Sequence, residues 1–225
     1  MKKLLFYTLL ILTTAPAVAQ KDVQAKAILN QVSQKYRSYN IIKSDFTFTV
    51  DNPAAGVKET RNGTLTTQSK ANKFKVDVYA AGSSTDLEQE IISDGKSQWT
   101  YLKKDKEVQL TNADNSGDQS FNPAKLFSMY EHGYKYVYNG DQKIGGKVYQ
   151  SIDLSPENDE KTQFFKVRLL IDKVKKQIYS ALIFDKSGAK YNYILRSFVT
   201  TAAAPASTFT FDTKAHPGVE VVDLK

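Results

Sequence analysis

Two histidines, His132 and His216, and a scatter of carboxylates are the residues whose types could do acid–base or metal chemistry. Such chemistry needs fixed spacing. Neither histidine stands in an HxxxH or HExxH pattern, the spacing that places two imidazoles on one helix face around zinc. Both read as surface or packing residues. Asp114-Asn115-Ser116-Gly117-Asp118 has a faint calcium-loop look. An EF-hand loop needs oxygen ligands at alternating positions, Gly at the sixth and Glu at the twelfth, so this stretch reads as a solvated turn. Glu157, Asp159 and Glu160 fall in a polar stretch between strand-like segments, where neither partner of an acid–base pair would be desolvated. They read as a charged hairpin tip. No GxSxG, P-loop or GxGxxG pattern occurs. The sequence has no cysteine, which removes thiol catalysis, disulfides and zinc–thiolate sites together. These residues point away from an enzyme, with no catalytic residue, metal site or cofactor expected.

The elements around them begin with an export signal. Lys2 and Lys3 form a positive start, Leu4 to Leu12 is an apolar run, and Ala17-Val18-Ala19 is the small-x-small pattern cut by signal peptidase. The run is shorter than the roughly 20 residues that span a bilayer. Residues 1–19 are therefore expected to be cleaved after Ala19. Without a cysteine at the cleavage point the product, residues 20–225, should not be lipid-anchored. About 205 residues suit one domain with a sizeable core. The net charge of +7 is spread without a basic block, which argues against nucleic acid.

Asp22 is a plausible N-cap for a helix whose apolar face would carry Val23, Ala27, Ile28, Val32, Tyr36 and Tyr39. The period then drops to two. Phe46, Phe48 and Val50 share a face, as do Phe74, Val76 and Val78, and Tyr134, Tyr136 and Tyr138 up to Asn139-Gly140. Asp94-Gly95 and Gly145-Gly146 read as turns. About ten short strands at near-regular spacing predict an antiparallel sandwich or barrel. Pro123 to Met129 reads as a short helical turn with Leu126, Phe127 and Met129 on its apolar side, and Thr200 to Ser207 as a flexible connection. Thirteen Tyr, twelve Phe and one Trp exceed ordinary usage and leave two readings, a plain hydrophobic core or a ligand-holding apolar cavity.

Several segments in order bear a resemblance to a known family. They are Phe46-Thr47-Phe48, Gly63-Thr64-Leu65, Lys70-Ala71-Asn72-Lys73-Phe74 and Ser93-Asp94-Gly95-Lys96 with Trp99 and Tyr101. Asn122-Pro123, Phe164 to Ile171, Gln177 to Phe184, Phe209-Thr210-Phe211 and Pro217-Gly218-Val219-Glu220-Val221 follow. From the first mature helix to the C-terminus the chain resembles the periplasmic outer-membrane lipoprotein carriers, the LolA-like proteins.

The resemblance implies a mainly β fold with helices, an antiparallel sheet curled into an incomplete (half) β-barrel covered by a short helical lid. It implies a monomeric, non-enzymatic chaperone in the periplasm that shields lipoprotein acyl chains in a hydrophobic cavity. The implied partners are the lipoproteins, the inner-membrane ABC transporter that releases them and, where one exists, an outer-membrane acceptor. The acyl-chain cavity would include Phe46, Phe48, Phe74, Val76, Trp99, Tyr101 and Leu154. The lid would include Ile28, Val32, Tyr36, Leu126 and Phe127. The family commonly carries an arginine that bonds lid carbonyls and governs closing. Lys70 stands in its place, keeping the charge without the planar fork. The alternative from another class is an envelope sensor or protein-interaction module on the same half-barrel without lipoprotein cargo.

Overall fold

A computed structural model describes residues 17–113, 126–127, 129–158, 160 and 162–225. One helix, α1 (Ala17–Ser38), is followed by strands β1 (Ile41–Asn52), β2 (Val57–Gln68), β3 (Lys73–Tyr79), β4 (Leu87–Ser93), β5 (Ser97–Leu102) and β6 (Glu107–Asn112). Then come β7 (Tyr134–Ile144), β8 (Lys147–Pro156), β9 (Phe164–Asp172), β10 (Gln177–Asp185), β11 (Lys190–Leu195), β12 (Val199–Thr201) and β13 (Glu220–Asp223). Among the described residues all thirteen strands belong to one sheet, in the order β13-β6-β5-β4-β3-β2-β1-β11-β10-β9-β8-β7, with β12 also paired to β1. The ladder is antiparallel except for β13, which lies parallel to β6. The order is open, because β7 and β13 end it without pairing to one another. A two-sheet sandwich is therefore not the solution that this chain adopts.

Register fixes which side chains share a face, since directly opposed residues point the same way. Phe46 opposes Gly63 and Leu195, Leu65 opposes Val76, Val167 opposes Leu154 and Ile183, and Leu169 opposes Ile152 and Ala181. One apolar surface thus runs from β3 through β2, β1, β11, β10 and β9 to β8, and nearly all of it is buried. The Tyr134, Tyr136 and Tyr138 side chains of β7 extend it at one margin. The opposite face over β1, β2, β8 and β9 is polar, with Thr47, Thr49, Thr60, Thr64, Asp153 and Arg168.

Several boundaries differ from expectation. Helix α1 is already formed at Ala17, so Asp22 lies inside it and is not the N-cap. Its buried stripe is Ala25, Ile28, Leu29, Val32 and Tyr36, while Val23 is 70% exposed and Ala27 is exposed. Asn139-Gly140 does not end a strand. β7 continues to Ile144, with a bulge at Asn139 and Gly140 at a φ of 97°, a conformation that glycine adopts without a Cβ clash. Part of the expected connection after Thr200 is strand β12. Phe209-Thr210-Phe211 leaves a 3-10 turn (Ala206–Phe209) and is not a strand. The turn expected from Pro123 and the Asp114–Asp118 stretch lie mostly or wholly outside the described residues.

Gly63 marks a close approach within the sheet. A Cβ there would overlap the Phe46 ring and sit 2.6 Å from the Asp77 carbonyl oxygen of β3. The carbonyl is ladder backbone and cannot move aside. Gly63→Ala is therefore expected to lower stability by about 1–3 kcal/mol, the usual cost of overpacking, measured as a shifted urea midpoint at unchanged slope.

On the polar face Arg168 clamps Asp153 across β8 and β9, with Nε and Nη2 donating at 2.6 and 2.8 Å to its two carboxylate oxygens. Burial alone would push the Asp153 carboxyl up, but this clamp and Lys166, 3.9 Å away, outweigh it and hold the carboxyl below the usual range. A depressed carboxyl contributes stability above its unfolded value, near 4, and loses it as pH falls through the folded one. Asp153→Asn should be less stable than wild type at pH 7, and the gap should close in denaturation curves taken below about pH 4.

Candidate functional site

The candidate site is the apolar face together with what covers it. Helix α1 lays Ala25, Ile28, Leu29, Val32 and Tyr36 on this face, and Leu126, Phe127 and Tyr130 reach it from the segment before β7. All are at most 5% exposed. They join one continuous cluster with Ile42, Phe46, Leu65, Phe74, Val76, Ile152, Leu154, Val167 and Leu169. Among the described residues no second sheet takes part in this cover; one helix and short turns suffice. The face is filled by these side chains.

Aromatic contacts fix one end of the cover. The Tyr36 ring stacks on Phe198 at 5.6 Å and meets Phe127 edge-on at 5.0 Å, and Phe127 meets Phe198 edge-on at 6.1 Å. These rings come from helix, turn and the segment between β11 and β12, so they tie three elements at one point. The backbone N–H of Ile178 donates to the Tyr36 hydroxyl at 2.7 Å in a buried position. Burial pushes the Tyr36 phenol well above its ordinary value, so it remains neutral. Lys35 reaches the Lys175 carbonyl and anchors the same end of the helix to the β9–β10 turn.

At the margin Phe48 is only partly buried and stacks on Tyr193 at 4.5 Å and Tyr191 at 6.2 Å. Burial pushes the Tyr193 phenol up. Arg61 of β2 opposes Phe48 and is ion-paired with Glu88 and Glu59. The apolar surface ends here in paired charges.

The structure brings together Phe46, Phe48, Phe74, Val76 and Leu154 with Ile28, Val32, Tyr36, Leu126 and Phe127. It does not bring Trp99 and Tyr101 to them. Ile92 opposes Trp99 across β4 and β5, whereas Ile91 opposes Val76, so the two aromatics of β5 point to the other side of the sheet. There they form a second cluster with Ile92, Val108, Phe211 and Val219. The expectation that they share a cavity with Phe46 is corrected by this register.

That second cluster explains the C-terminal segment. The His216 ring lies between Tyr101 and Phe211, 4.5 Å from each centroid. Its Nδ1 is 2.9 Å from the Asp212 carbonyl oxygen and its Nε2 is 3.7 Å from Glu90 Oε2. Glu90, 5% exposed, is ion-paired with Lys75, which is 3.6 Å from Asp77. Burial pushes the Asp77 carboxyl up, against the opposing effect of Lys75. His216 is thus a packing residue. Among the described residues no group of three or more His, Asp or Glu could hold a metal ion, and no helix is long and apolar enough to cross a membrane.

Lys70 is exposed on the 3-10 turn Ser69–Ala71 between β2 and β3, and among the described residues it makes no hydrogen bond or ion pair. Ala25, Leu29 and Tyr130 belong to the cover although the sequence pattern does not single them out. Leu29 is detectable because it follows Ala25 at helical spacing and adjoins Ile28.

The sequence model of the family described as outer membrane lipoprotein carrier protein LolA matches residues 37–212, from the end of α1 almost to the C-terminal segment. The protein belongs to the LolA family. No curated protein matches the sequence. Among solved structures, an uncharacterized conserved protein from Thermus thermophilus is similar with a TM-score of 0.59 at 13% identity, covering 89% of this chain and 99% of its own. A LolA superfamily protein from Nitrosomonas europaea gives 0.46 at 13% identity, covering 84% and 98%. LprF from Mycobacterium bovis gives 0.47 at 14% identity, covering 81% and 97%. At such identities the first of these shows likeness of fold alone.

If the Tyr36 hydroxyl anchors the cover, Tyr36→Phe leaves the Ile178 N–H buried without an acceptor. The expected cost is about 1–3 kcal/mol, read as a lowered midpoint in chemical denaturation. An unchanged midpoint would remove the anchor from this account.

Proposed function

We propose that this protein is a soluble periplasmic carrier that shields the acyl chains of lipoproteins and delivers them from the inner to the outer membrane. The single observation that carries the reading is the cover. A long apolar sheet face is closed by one helix and short turns rather than by a second sheet. Family membership supports the same direction.

In this reading the sheet acts as a half-barrel. Acyl chains replace the side chains of Ile28, Val32, Tyr36, Leu126 and Phe127 over Phe46, Phe48, Phe74, Val76 and Leu154. Each buried CH₂ is worth about 0.8 kcal/mol, so chains of lipid length cannot cross water unshielded. Lid side chains and ligand compete for one surface, and this competition keeps affinity low enough for release to a better-binding acceptor. Residues 1–19 serve as the export signal, cleaved after Ala19. Cargo arrives from an inner-membrane ABC transporter and leaves to the outer membrane or an acceptor there. Chemistry on the cargo is not required, and the protein works by binding.

Phe48→Glu tests the reading at a partly buried position on the margin of the face. The mature protein should bind a fluorescent acyl probe, and the variant should bind at least about tenfold more weakly, the cost of placing a charge against an apolar ligand. Its circular dichroism should be unchanged. Trp99, on the other side of the sheet, reports independently that the fold persists. Unchanged binding, or an unfolded variant with no binding by wild type, would sink the carrier reading.

A further inference from the structure

A groove of about 240 Å³ runs along one flank of α1. Lys26, Leu29, Ser33 and Arg37 of the helix form one wall, and Tyr130 and Glu131 form the other. Tyr130 is 1% exposed, and among the described residues its hydroxyl makes no hydrogen bond of good geometry. Ser33, 7% exposed, lies beside it, and a loose hydrogen-bonding contact with the Ser33 side chain opposes the rise in its pKa. Burial dominates and pushes the phenol up, so it stays a neutral donor. A buried hydroxyl with no partner costs free energy, and its position in the wall of a groove gives that donor somewhere to be used.

Two features narrow the ligand. Leu29 and Tyr130 belong both to this groove and to the apolar cluster under the lid. A molecule reaching both would be an amphiphile, with its chain on the apolar face and its polar end in the groove. The buried groups offered to that end are hydroxyls, not cations. Arg37 is largely exposed and already paired with Glu131 at 3.0 Å, and Lys26 is exposed on the rim. A phosphate or carboxylate would find no buried positive charge and would face Glu131. A neutral acceptor fits.

We propose that this groove receives the ester or amide carbonyl at the polar end of an acyl chain, with the Tyr130 hydroxyl as its hydrogen-bond donor. This rests on the carrier reading and adds a polar subsite to it. The role is recognition of the acyl linkage, and it makes the protein distinguish acylated molecules from plain hydrocarbon or ether lipids.

The test compares a diacylglyceryl-cysteine peptide with its dialkyl ether analogue, each displacing a fluorescent acyl probe from the mature protein and from Tyr130→Phe. Wild type should prefer the ester by about tenfold, the contribution of one buried hydrogen bond. In Tyr130→Phe the ester should fall to the level of the ether, and the ether should be unchanged. Without ligand the variant should melt at the wild-type temperature or higher, since it loses a buried hydroxyl that had no well-formed hydrogen bond. A variant that keeps the preference, weakens both lipids equally or melts lower would overturn the inference. So would a wild type that binds both lipids equally. Failure of wild type to bind either lipid would instead overturn the carrier reading itself.

Discussion

The structure depends on covering one face of one sheet. From β3 to β8 the side chains on that face are apolar, and several, including Val76, Ile152, Leu154, Val167 and Leu169, are wholly buried. Burying a side chain of this size is worth about 1.5–3 kcal/mol, so an uncovered face would not be stable in water. A sandwich would meet the need with a second sheet. This chain meets it with α1, Leu126, Phe127 and Tyr130, and it ties the cover down where Tyr36, Phe127 and Phe198 meet. In the proposed carrier reading the surface that holds the molecule together is also the one offered to a lipid, so that stability and binding would draw on one set of contacts.

The opposite side of the sheet follows a different plan. Over β8 and β9 it carries a partly buried charge cluster, with Asp153 held by Arg168. Over β4, β5 and β6 it carries a small second core, capped by the segment from Phe211 to Val219 before β13 adds itself parallel to β6. Lys75, Asp77, Glu90 and His216 adjoin this core. The chain thus ends by covering the part of the sheet that α1 does not reach.

Much of this is legible from the residues. Alternation in Phe46-Thr47-Phe48 and in Tyr134 to Tyr138 identifies strands and their apolar sides, and the amphipathic helix announces that it needs a surface. Alternation says which residues share a face but not which face it is. Ile91-Ile92 places one apolar residue on each side of β4, so the phase that links Val76 to Trp99 is lost there, and only register recovers it. The stripe on α1 is displaced from its expected position: Ala25 and Leu29 are buried in it, whereas Val23 near the start of the helix is left exposed. Asn139-Gly140 has the composition of a turn, yet Gly140 serves a bulge within β7. The burial of the Tyr130 hydroxyl against α1 depends on two distant segments meeting, which no local pattern encodes.

The open strand order has a mechanical side. A closed barrel has its girth set by strand number and stagger, and widening it breaks ladder hydrogen bonds. Here β7 and β13 are free of one another. The sheet can flatten or tighten by small changes in twist spread over the successive strand pairs from β13 to β7, with each ladder intact. A fold built this way can change its curvature by elasticity, without breaking a ladder.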